Sequence, residues 1–157
     1  MDDPKPQDLH DWNRWFAVEC NNHAWECAEQ PPSDPDAIES MVRCAFASAW
    51  HWQQVGTPIN LLRAESLLAW VHAIAGRAPA ADRYTRSTQA HLDRRIDGIT
   101  LWDRAFHGLV LALNHAVSGN HGSVPSALSD ADVLAASLSA DDRAVYNKFR
   151  AAVPEVM

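Results

Sequence analysis

A chain of 157 residues, 47% hydrophobic and 21% charged, has the composition of one ordinary globular domain, which excludes a wholly disordered chain or a coiled-coil rod. Its net charge of −7 opposes nucleic-acid backbones and anionic membrane surfaces, which repel it at long range, so neither is an expected partner. No stretch reaches the roughly 18 apolar residues of a membrane span, and Met1 to Pro6 lacks the basic start and apolar run of a signal peptide.

Three cysteines, an odd number in a chain large enough to fold without bridges, imply reduced thiols and a cytoplasmic location. Residues 1–7 are expected to be extended or disordered, and 8–154 to form a single helical domain.

From Leu9 to Glu29, Trp12, Trp15, Phe16, Ala24, Trp25 and Cys27 recur at helical spacing without Gly or Pro, predicting a first helix that Pro31-Pro32 stops. Ser33 or Asp34 caps a second helix, with Pro35 at its start. It covers about 36–54 and ends at Val55-Gly56-Thr57-Pro58. A third helix spans 59–75 and closes on Gly76, suited to a left-handed cap. A fourth has Pro79 in its first turn and runs to about Arg94. Asp97-Gly98 marks a turn, and Thr100 or Asp103 starts a fifth helix that Gly119-Asn120-His121-Gly122 stops. A sixth is expected over 126–138. Ser139 caps a seventh through Ala152. No β-branched alternation between turn residues is present, so the reading is all-α, with stacked antiparallel helical hairpins.

The most informative pattern is internal. Leu68-Ala69-Trp70-Val71-His72-Ala73-Ile74-Ala75-Gly76 aligns with Leu111-Ala112-Leu113-Asn114-His115-Ala116-Val117-Ser118-Gly119. A helical hairpin cannot bury its apolar stripe alone, so such units stack in series. Ala69, His72, Gly76 and Ala81 resemble the tetratricopeptide repeat, in which a small residue, a ring, a glycine and an early alanine of the second helix occupy this register. That family places tyrosine where His72 and His115 stand, and an aromatic where Thr85 stands. The resemblance implies about three hairpins plus a capping helix, with a concave groove lined by the first helix of each hairpin. A second likeness rests on Trp15-Phe16-Ala17-Val18-Glu19-Cys20-Asn21-Asn22, on Ala49-Trp50-His51-Trp52 with Val55-Gly56-Thr57-Pro58, and on Asp142-Arg143 before Val153-Pro154. These stretches are similar to a group of small bacterial helical proteins with no established activity.

The tetratricopeptide register places Arg63, Ser66 and Trp70 in the groove, with Asn21, Asn22 and Trp25 at the equivalent face of the first helix. An Arg beside a Trp suits a carboxylate or peptide partner. Trp50, His51 and Trp52 are candidates for an aromatic pocket, although consecutive helical positions diverge by 100°. Cys20, His23 and Cys27 share one side of the first helix and are weak candidates for a soft metal; the ordinary reading is core packing, with no metal. His72 and His115 are expected to do one packing job in both hairpins. No Gly-rich phosphate loop, Ser-centred elbow or HExxH motif occurs, so no cofactor and no catalytic residue are assigned. These features favour a non-catalytic protein- or peptide-binding module, with a homodimer as a further arrangement. The alternative is a small-molecule or metal-binding protein, with enzymatic activity left open.

Overall fold

The computed structural model describes residues 8–154. They form seven α-helices, α1 (Leu9–Glu29), α2 (Pro35–Val55), α3 (Pro58–Ile74), α4 (Ala78–Asp93), α5 (Leu101–Val117), α6 (Val124–Ala135) and α7 (Ala140–Ala152), with a 3-10 turn at His121–Ser123. No strand occurs among the described residues. The expected extended segment 1–7 lies outside them.

Local chemistry sets the boundaries. Asp8 and Asp34 accept hydrogen bonds from the N–H groups of Asp11 and Ala37, each closing a first turn that would otherwise leave donors unpaired. Thr57 with Asn60, and Thr100 with Asp103, form reciprocal capping boxes at α3 and α5. Ser139 caps α7 by accepting from Asp142. The sixth helix departs from the expected 126–138: it starts at Val124, because the fixed φ of Pro125 suits a first turn, and ends at Ala135, because the chain must leave the helix to bring Ser139 into its capping position.

Consecutive helices pack as antiparallel hairpins, and α1, α3, α5 and α7 also touch one another in turn, so the odd-numbered helices make one layer against which α2, α4 and α6 are laid. The paired segments end alike. Gly76 and Gly119 both adopt positive φ, 69° and 76°. In each, the glycine N–H returns to the third carbonyl before it, and the next N–H to the fifth, through Arg77 to His72 and Asn120 to His115. Small residues set the helix spacing. Ala17, Ala24 and Ala28 are buried on α1, and the Ser48 hydroxyl of α2 donates to the Ala17 carbonyl at 2.8 Å. A Cβ at Gly108 would lie 2.6 Å from the Cβ of Ala131, so α5 and α6 meet where side chains vanish.

The core centres on Trp70, wholly buried, whose ring lies 5.3 Å from Phe106 of α5 and 5.5 Å from Phe149 of α7. With Leu67, Leu109 and Val110 beside it, each contributing about 2 kcal/mol of burial, this cluster joins the odd-numbered layer into one unit.

Candidate interaction surfaces

The odd-numbered layer carries a cleft of about 280 Å³ lined by Asn21, Trp25 and Glu29 of α1, Arg63 and Ser66 of α3, Asp103 of α5 and Phe149 of α7. Four of the residues expected in the groove, Asn21, Trp25, Arg63 and Ser66, are thus brought together. Trp70 is not among them. Its ring is at 0% exposure, its indole N–H has no partner, and it belongs to the core instead. Asn22 is exposed but turned off the cleft, as a residue 100° round the helix from Asn21 must be.

Arg63 is not free to receive a ligand carboxylate. Its guanidinium donates two bonds to Asp103, at 2.8 and 3.1 Å. Burial alone would raise the Asp103 carboxyl, but the Arg63 fork and the backbone and hydroxyl donors of Thr100 outweigh it and hold the group below the usual carboxylate range. Hydrogen bonding to Asp103 likewise raises Arg63. The last helix also builds part of the cleft wall. Phe149 packs edge-on against Trp25, Trp70 and Phe106, one ring from each of α1, α3 and α5, and Lys148 pairs with Glu29 at 3.6 Å. Helix α7 therefore forms one wall of the cleft.

Trp50, His51 and Trp52 diverge and line no shared wall. Trp50 is exposed, His51 is held by Asn13 at 2.8 Å and stacks on Phe16, and Trp52 packs against the core near Gly56. His23 Nε2 reaches only to 3.9 Å from Cys27 Sγ. Cys20 does not join them: seven residues of helix put it about 10 Å along the axis from Cys27. Its thiol is pushed up by burial and by Glu19, and Cys44 is raised by burial with Cys20 and Cys27 near by. Among the described residues, the converging ligand set is instead Asp8, His10 and Asp11, all exposed at the start of α1.

The two equivalent histidines do different jobs. His72 is buried between Tyr84, stacked at 5.6 Å, and the edge of Phe46, and both its ring nitrogens lack partners, so burial lowers its pKa. His115 is half-buried and contacts Asn120 at 3.3 Å. The repeat register equates backbone positions, whereas α2 and α4 enclose only the first of the two rings. His107, which the sequence did not single out, is buried on Gln89 at 2.9 Å, and burial pushes its pKa down to about 4.

The largest departure concerns α1. Trp12, Trp15 and Phe16, among the apolar residues whose spacing predicts the first helix, are 38%, 52% and 39% exposed, and Leu9 beside them is 75% exposed. The rings form one cluster, with Trp12 stacked on Phe16 at 5.5 Å and Trp15 edge-on to both. Trp12 and Phe16 lie two and a half turns from Asn21 and Trp25, on the opposite side of the helix from the cleft. The signal was present in the sequence, since a helix that is apolar on two opposed faces offers more than one neighbour can cover.

Comparison with family models, with curated proteins and with solved structures finds no match for this chain. The functional reading therefore rests on these surfaces.

Proposed function

We propose that the chain is a non-catalytic protein-interaction module of tetratricopeptide-like design, and that it docks its partner on the aromatic face of α1. The observation carrying this reading is the exposed Trp12, Trp15 and Phe16 cluster. Large aromatic groups in contact with one another and open to water are the composition of binding hot spots, and monomeric proteins rarely leave them so without use. The matching glycine caps at Gly76 and Gly119 support the repeat design. The groove between α1, α3 and α5 is the weaker docking surface, because it is small, at about 280 Å³, and Asp103 neutralises Arg63. A ligand pocket at Trp50, His51 and Trp52 has less support still, since those side chains do not converge.

The test is a photo-cross-linking residue placed at Trp15 and, as control, at the exposed Asp130 of α6. The expected result is a recurrent protein adduct at position 15 whose purified partner loses binding on Trp15→Ala. Equal adduct patterns at the two positions would overturn the reading.

A further inference from the structure

The aromatic face of α1 also carries information about what covers it. Along the same side of the helix, Asp8 precedes the cluster by one turn, and Glu19 and Glu26 follow Trp12 at seven-residue steps, which return to the same face. All three carboxylates are exposed, and neither glutamate has an ion-pair partner among the described residues. Arg14, the one Lys or Arg within α1, stands about 200° round the helix from Trp12. A ring cluster bracketed by exposed negative charge attracts a positively charged apolar surface and repels its own kind.

Area separates the occupants further. Taking about 150–250 Å² for a fully accessible aromatic side chain, the exposed fractions of Leu9, Trp12, Trp15 and Phe16 sum to on the order of 400 Å². That is about half of the roughly 800 Å² per partner in a stable dimer. Two copies, each at −7, would also bring Asp8, Glu19 and Glu26 against like charges. The cluster instead matches one helix. Leu9, Trp12, Trp15 and Phe16 form ridges at three- and four-residue spacing, the pattern that interdigitates with a second helix.

Resting on the proposed interaction role, we infer that this face binds a basic amphipathic helix of another protein, its apolar ridge on Trp12, Trp15 and Phe16 and its Lys or Arg side chains against Asp8, Glu19 and Glu26. The test is fluorescence anisotropy with a stapled Leu/Lys amphipathic helix as the probe, beside a stapled Leu/Glu helix of the same pattern. The full chain binds the Leu/Lys probe with an affinity that falls as salt rises. Trp12→Ala with Trp15→Ala leaves net charge unchanged yet weakens binding by roughly tenfold or more. Glu19→Lys with Glu26→Lys weakens it by a similar factor. Both variants change exposed residues, and an unchanged thermal unfolding curve establishes that they remain folded.

Equal binding of the Leu/Lys probe by the double-Trp variant overturns the inference, as does preference for the Leu/Glu probe. A dimer by light scattering, or partition onto zwitterionic vesicles, that Trp15→Ala abolishes assigns the face to another occupant and overturns it too. A specific protein adduct at position 15, without probe binding, rejects the basic helix while leaving the interaction role standing.

Discussion

Arg63 of α3 and Asp103 of α5 are joined by two hydrogen bonds, with the carboxylate almost wholly enclosed and the guanidinium half open to the cleft. Asp103 also closes the capping box of α5 with Thr100, so one carboxylate ties a helix start to its neighbour. Removing the two partners should therefore be unequal. Asp103→Ala is expected to cost about 2–3 kcal/mol, through the lost cap and the lost bonds to Arg63. Arg63→Ala should cost less, because Thr100 still supplies donors to the carboxylate and water reaches the site. A double-mutant cycle by urea denaturation should return a coupling of about 1–2 kcal/mol; coupling near zero would mean the pair is ornamental. The folded Asp103 pKa is depressed, so its stabilisation is complete above the unfolded carboxylate value and is lost as pH falls through the folded one.

His107 gives a pH dependence in a different window. Its folded pKa of about 4 lies below the unfolded value of 6.5, so between these the unfolded chain binds more protons. Stability should be full above about pH 6.5 and fall by on the order of 2–3 kcal/mol as pH drops towards 4. His72, also lowered by burial, acts in the same direction. Denaturation midpoints across this range should fall less steeply in His107→Gln, which cannot titrate. An unchanged slope would assign the effect elsewhere.

Gly108→Ala is expected to destabilise despite the better helix propensity of alanine, which would offer about 1 kcal/mol in an open helix. The added Cβ meets Ala131 at 2.6 Å, and an alanine has no flexible end to move aside. Separating α5 from α6 to admit it should cost about 1–3 kcal/mol, seen as a lower melting temperature. A gain in stability would show that the two helices are not held at this spacing.

Two aromatic truncations should separate the inner face of the structure from its outer one. Phe149→Ala removes a buried ring that touches Trp25, Trp70 and Phe106, and should cost about 3–5 kcal/mol. Trp15→Ala touches an exposed ring and should change stability by no more than about 0.5 kcal/mol. Matched thermal and urea unfolding of the two variants checks this, and a large loss from Trp15→Ala would place that ring in the fold rather than on a docking surface.

The amino-acid order alone determined the elements: proline pairs, aspartate and serine caps and the glycines at 76 and 119 act on their own neighbours, so they can be read one segment at a time. Hence α1, α5 and α7 lie where spacing and capping place them, and the paired Leu-Ala-x-x-His-Ala segments end in the same turn. The neighbours of each face were decided only by the tertiary structure. An apolar stripe says that something covers it, not what, so Trp70 was expected in an open groove and Trp15 in an apolar stripe, although Trp70 lies beneath Phe106 and Phe149 and Trp15 faces water. Arg63 likewise read as a cation awaiting a ligand until α5 delivered Asp103, forty positions along the chain, to its side.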